Sequence, residues 1–170
     1  MKKYLLAFIL SIFLLSNTNP VFAASFGNFS ASSMDGDIVS QDIFKNSNLT
    51  MINIWGTFCG PCIDEIPVLG EISRDYKDKG LQVIGIVIDA VDSNGAAQPE
   101  QLLAAKNLLD SSQAYYLNII PSPSLLNNQL RVVMAVPTTI FVNKEGEIVG
   151  PNVIGSKSKE GWMKIINAQL

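Results

Sequence analysis

The stretch IWGTFCGPCIDEIPVL, Ile54 to Leu69, contains both cysteines of the chain, Cys59 and Cys62, with Gly60 and Pro61 between them. Immediately upstream, LTMINIW (Leu49 to Trp55) is an apolar run that follows the polar break at Asn46 to Asn48, and it reads as a buried strand. Downstream, Ile66, Leu69, Ile72, Ser73 and Tyr76 are spaced to form one buried face, which predicts a helix from about Cys59 with a stop at Gly80. Pro67 falls inside that helix and cannot donate to the carbonyl of Ile63, so a kink is expected there. The two cysteines stand where a strand gives way to a helix.

Outward from this point the pattern continues. LQVIGIVI, Leu81 to Ile88, is a second β-branched run of the kind found in central parallel strands. Strand, helix and strand make a βαβ unit, expected to be right-handed. Asp89 to Gln98 is a polar loop, and Pro99 opens a second helix carrying Leu102, Leu103, Leu108 and Leu109. AYYLNII reads as a third, shorter strand, Ser124 to Leu130 as a short helix, and Lys159 to Leu170 as a last helix burying Trp162, Ile165 and Ile166. TTIFV and EIVG flank Asn143 to Gly146 as a hairpin, and Asp35-Gly36 marks another near the start. With 170 residues, 48% hydrophobic, and neither repeats nor a low-complexity linker, the chain predicts one α/β domain.

The first residues stand apart. Lys2 and Lys3 precede an apolar run, Leu5 to Leu15, interrupted only by Ser11, and Val21-Phe22-Ala23 stands before Ala24. These are the parts of a secretory signal, so residues 1–23 are expected to be a signal peptide cleaved after Ala23, and 24–170 the domain. The run is short against the roughly 20 residues that span a bilayer, which favours cleavage over retention as an anchor. Loss of Lys2 and Lys3 leaves 10 basic against 15 acidic residues. No basic run remains to follow a phosphate backbone, so nucleic acid is not an expected partner.

Export sets the meaning of the cysteines. Outside the cytosol disulfides persist, but a bridge between Cys59 and Cys62 closes a loop of only four residues and barely constrains the unfolded chain. A zinc site wants four ligands, and the chain has no histidine and no third cysteine; no metal is expected. A redox couple fits better. Two cysteines at i and i+3 at a helix start are within disulfide reach. The first faces the helix dipole and unpaired N–H groups, which lowers its pKa. Cys59 is therefore the expected nucleophile and Cys62 the resolving thiol. Gly60 lets a substrate backbone approach, and Pro61 occupies a first-turn position where its missing N–H costs nothing. Following a strand and opening a helix within a βαβ unit, the CxxC is a strong redox signal.

At these residues the chain resembles the thioredoxin superfamily, and within it the exported TlpA/ResA-like thiol–disulfide oxidoreductases. WGTFCGPCIDEIP matches that branch's tryptophan, cysteines, glutamate and proline at Trp55, Cys59, Cys62, Glu65 and Pro67, and VPTTIFVNKEGEIVG matches its second signature at Pro137. The resemblance covers Phe29 to the C-terminus. It implies a thioredoxin-like fold, a mixed sheet flanked by helices with an N-terminal β-hairpin and a βαβ insertion. It also implies a cis Pro137, with the Val136–Pro137 segment packed beside Cys59, and no cofactor beyond the cysteines. Asn53 stands where cytosolic thioredoxins carry a buried aspartate, and it cannot take a proton. Glu65, three residues after Cys62 and on its helix face, is the expected replacement. Partly buried, it would have a raised pKa and pass protons. Phe58 replaces the family's second tryptophan beside the cysteine. The Gly60-Pro61 dipeptide is that of reducing thioredoxins.

The expected activity is reduction of disulfides in other exported proteins, for example the CxxCH cysteines of apocytochromes c, with a membrane thiol-electron transporter as reductant. Alternatives are an oxidase or isomerase using the same sulfurs in the other direction, and a redox-gated binding module with the Pro121 to Val136 segment as its partner surface, although core and family insertion account better for that segment. A thiol peroxidase fits poorly, because Gly56 stands where peroxiredoxins place a threonine.

Overall fold

A computed structural model describes residues 24–170; the expected signal peptide lies outside the described residues. Seven strands form one sheet: β1 (Ser30–Ser33), β2 (Ile38–Ser40), β3 (Leu49–Trp55), β4 (Leu81–Val87), β5 (Leu117–Ile120), β6 (Thr138–Asn143) and β7 (Val153–Ile154), in the order β2-β1-β5-β4-β3-β6-β7. The three central strands β3, β4 and β5 are parallel, whereas β6 runs antiparallel to β3 and β1 antiparallel to β5. Four helices complete the fold: α1 (Gly60–Tyr76), α2 (Pro99–Ser111), α3 (Pro123–Asn127) and α4 (Lys159–Asn167). This is the expected mixed sheet flanked by helices. The hairpin β1–β2 turns at Asp35-Gly36, where Gly36 has φ +94°, and β4–α2–β5 is a βαβ unit.

Side-chain alternation along the strands separates two cores. Met51, Trp55, Val83 and Phe141 face α1, α2 and α4. Ile52, Ile54, Ile84, Ile86 and Ile140 face the other way, onto Phe26, Phe29, Phe44 and α3. The α1 helix runs unbroken through Pro67, ends through a single 3-10 turn, and is stopped by Gly80 at φ +90°.

Several expected details differ. Along α2 the inward face is Ala105 and Leu109, with Leu103 61% exposed, because 103 lies off the i, i+4 row that the sheet side selects. The short helix is Pro123–Asn127 followed by a separate 3-10 turn, Leu130–Val132, with the Ser122 hydroxyl accepting the Leu125 N–H as N-cap. EIVG is not a strand. It returns on β6 through one bridge, Val142 with Ile148, and Val149 N–H to the Phe141 carbonyl. Gly150 at φ +68° and Pro151 then interrupt the pairing, and β7 resumes it against Thr138 and Thr139. The last helix stops at Asn167, with Ile165 only partly buried. The Pro121 to Val136 segment divides: Leu125 and Leu130 are core, while Val132 and Met134 are exposed.

Candidate active site at the Cys59–Cys62 disulfide

The carboxyl end of β3 delivers the site. Trp55, the last strand residue, is fully buried and its indole N–H donates to Asn118 Oδ1 at 3.0 Å. The chain then turns, with the Cys59 N–H donating to the Gly56 carbonyl at 3.1 Å. Gly56 leaves room for the Phe58 ring to lie back over the chain: a Cβ there would lie 2.6 Å from Phe58 Cε1 and would turn that exposed ring outward. The ring is 71% exposed and flanks the cysteine as an apolar surface. Cys59 is the N-cap of α1, and its sulfur accepts the Cys62 N–H at 3.2 Å. The two sulfurs form a disulfide with the Cα atoms 5.2 Å apart.

Cys59 and Cys62 are both buried, at 7% and 2% exposure; Cys59 is the more exposed by a small margin. Gly60 and Pro61 are exposed above them, and the Cβ position of Gly60 meets open space. The Val136–Pro137 bond is cis, and the Val136 carbonyl oxygen lies 3.6 Å from Cys59 Sγ. A disulfide sulfur carries no hydrogen, so this is a van der Waals contact. It places the Val136–Pro137 segment directly beside Cys59.

Beneath the disulfide one polar row crosses the otherwise apolar helix side of the sheet. Thr139, Asn53, Gly85 and Asn118 are register partners on β6, β3, β4 and β5, so they form one row across the sheet. Asn53 Nδ2 donates to Thr139 Oγ1 at 3.1 Å and to Glu65 Oε2 at 3.4 Å. Gly85 leaves the room that the Asn118 amide and the Trp55 indole occupy. Glu65 is buried more deeply than expected, at 2% exposure. Its Oε1 accepts the Lys157 backbone N–H at 2.6 Å and the Trp162 indole N–H at 2.8 Å. Burial drives the Glu65 pKa above its ordinary value of 4.5, against the opposing pull of the Lys157, Trp162 and Asn53 donors and the Lys157 charge. Both donors on Oε1 are strong and the one on Oε2 is long, so a proton on this carboxyl belongs on Oε2. The buried Tyr116 hydroxyl has no partner among the described residues, and burial together with the Glu65 charge pushes its pKa up.

The structure therefore gathers Trp55, Phe58, Cys59, Gly60, Pro61, Cys62, Glu65, Val136 and Pro137 at one end of the sheet. Sequence reasoning missed several contributors. Asn118 carried a signal, being a lone amide in an apolar strand that burial obliges to find partners. Trp162 was legible as core but not as a donor. Lys157 contributes a backbone N–H, which no side-chain pattern announces, and the Thr57 contact with Asp89 crosses 32 residues of chain. Among the described residues no cluster of three or more histidine, cysteine or carboxylate side chains is arranged to hold a metal ion.

Residues 17–161 match the Redoxin family. The chain belongs to the Redoxin family. Among characterised relatives, this Redoxin protein is 26% identical over 147 residues to the thiol-disulfide oxidoreductase ResA of Bacillus thuringiensis, covering 82% of this chain and 75% of that one. It is 28% identical over 149 residues to the ResA of Halalkalibacterium halodurans, covering 84% and 75%. Its fold matches a thiol:disulfide interchange protein of the thioredoxin family from Chlorobium tepidum with a TM-score of 0.71, at 22% identity over 86% of this chain and 96% of that chain. The Redoxin protein is accordingly a thiol–disulfide oxidoreductase of the ResA-like kind, with the thioredoxin fold that its cysteine motif implied.

Proposed function

We propose that this Redoxin protein is an exported reductase of protein disulfides, working through Cys59 and Cys62 after removal of residues 1–23. In the dithiol form Cys59 is the nucleophile, its thiolate favoured by the N-cap position and the Cys62 N–H. It attacks one sulfur of a substrate disulfide, forming a mixed disulfide and releasing the other substrate sulfur as thiolate. The Cys62 thiol passes its proton to Oε2 of Glu65 and attacks Cys59 Sγ. The second substrate sulfur leaves, the substrate has gained two electrons, and the protein is left as the Cys59–Cys62 disulfide. Electrons return to the Cys59–Cys62 disulfide from a membrane thiol transporter.

The observation that carries this reading is the buried Glu65 on the Cys62 face of α1, oriented by three neutral donors beneath a helix-capping cysteine. The cis Val136–Pro137 segment and the exposed Phe58 ring support docking of an extended, apolar substrate strand beside Cys59. Other exported proteins, including the CxxCH cysteines of apocytochromes c, are the proposed substrates. The test is reduction of insulin by the mature protein with dithiothreitol as donor. Wild type accelerates precipitation of the insulin B chain, and Cys59→Ser abolishes the acceleration. A Cys59→Ser protein that keeps turnover would sink the proposal, and one that keeps a partner's full affinity would favour the redox-gated binding module.

A further inference from the structure

The turn carrying Cys59 is held by a residue outside the dithiol. Asp89 lies in the 3-10 turn Ile88–Ala90 that follows β4. Its two carboxylate oxygens accept the Thr57 backbone N–H at 3.1 and 3.0 Å, and its Oδ2 also accepts the Thr57 hydroxyl. The base of this contact is rigid: Ala90 is fully buried and its carbonyl accepts the Gln98 N–H at 2.8 Å. The held segment is short, since Thr57 sits inside the turn closed by Cys59 N–H and the Gly56 carbonyl.

None of these bonds involves a sulfur, so opening the disulfide removes none of them directly. Cys59 then loses its covalent tie to Cys62 and is held by the turn and by the Cys62 N–H alone. A turn free to shift would carry the sulfur off the helix N-terminus that favours its thiolate. We propose that Asp89 is a positioning residue for thiol–disulfide exchange, which through Thr57 keeps the reduced Cys59 sulfur at the N-terminus of α1. The proposal rests on the dithiol–disulfide reading of the site. It assigns the effect to hydrogen bonds rather than to the Asp89 charge, and this separates two substitutions. An asparagine at 89 accepts the Thr57 N–H with Oδ1 and donates to Thr57 Oγ1 with Nδ2, whereas an alanine does neither.

Asp89→Ala, Asp89→Asn, Thr57→Ala and Asp89→Ala/Thr57→Ala are compared in insulin reduction. Each is also made in a Cys62→Ser background, where iodoacetamide alkylation at fixed pH reads the reactivity of Cys59 alone. Asp89→Ala is expected to lower kcat about tenfold with KM within about twofold, and to slow alkylation about threefold. Asp89→Asn restores both to within about twofold of wild type, and the double variant is no worse than Asp89→Ala, as one shared contact requires. Thermal melts show which variants are folded; Thr57→Ala removes the hydroxyl bond and keeps the backbone N–H on Asp89, so it is expected to show a smaller loss in the same direction, and it carries the test if Asp89→Ala does not fold. Wild-type turnover and alkylation in the alanine variants would overturn the clamp. So would an Asp89→Asn protein as slow as Asp89→Ala, because asparagine keeps the hydrogen bonds to Thr57. A wild type without insulin turnover would instead overturn the reductase reading, and the alkylation series would still decide the clamp.

Discussion

On β4, Gly85 and Ile86 are chain neighbours that point to opposite faces of one sheet, and the two faces are built differently. Ile86 enters a layer of aliphatic side chains closed by Phe26, Phe29 and Phe44, whose rings meet at 5.6 to 5.9 Å. Gly85 enters a row of amides and a hydroxyl that lies under Glu65 and the disulfide. The apolar face gains free energy from area and close packing. On the helix side the polar row, set among Met51, Trp55, Val83 and Phe141, buries groups that cost free energy unless each is paired, and its pairs converge on one carboxyl and one tryptophan. Both faces thus supply stability, and the helix side also sets within its core a tuned environment for two sulfurs.

Substitution of the neighbours should break the molecule in different ways. Ile86→Ala opens a cavity in the aliphatic layer and is expected to cost about 2–5 kcal/mol in urea unfolding, with insulin reduction unchanged at temperatures where the variant is folded. Gly85→Ala adds one methyl whose carbon would fall 1.8 Å from Asn118 Oδ1 and 3.0 Å from Trp55 Nε1. It should cost about 1–3 kcal/mol and also slow turnover, because it displaces Trp55, the residue that ends the strand leading into the cysteine turn. Equal turnover in the two variants would remove the distinction between the faces.

Smaller effects sharpen the picture at Glu65. Removing a proton acceptor of this kind by Glu65→Gln is expected to lower the rate at neutral pH about tenfold or more. Its pH signature has a definite sign. The folded-state pKa of Glu65 lies above 4.5, so between 4.5 and that value the folded protein binds the extra proton. Its stabilising contribution is full below 4.5 and is lost as pH rises through the folded pKa. Melting temperatures of wild type should fall across this window relative to Glu65→Gln, and a flat difference would contradict the raised pKa. Trp162→Phe removes one donor to the carboxylate, so the window should extend to higher pH, with a rate loss smaller than that of Glu65→Gln.

How much of this was legible in the sequence follows the same division. The strand at Leu49 to Trp55, the helix after Cys59 and the apolar parallel strand at Leu81 are local patterns, because hydrophobic periodicity needs only near neighbours. Cys59, Cys62 and Glu65 were legible because each lies about one helical turn from the next. The polar row was not. Thr139, Asn53, Gly85 and Asn118 come from four strands, and only their register shows that they meet. Glu65 is oriented by a backbone N–H at 157 and an indole at 162, some 92 and 97 residues away. The misplaced second arm of the β6 hairpin has a similar cause: EIVG alternates like a strand, but Gly150 and Pro151 after it end the ladder.

The central claim, that this environment makes the Cys59–Cys62 pair a donor of electrons, is tested most directly by its equilibrium reduction potential in defined dithiothreitol or glutathione buffers, read by mass-tagging of free thiols. The account predicts a value near or below that of thioredoxin, about −270 mV. A value near about −120 mV, that of a strong oxidant such as DsbA, would contradict it and place the protein among the makers of disulfides.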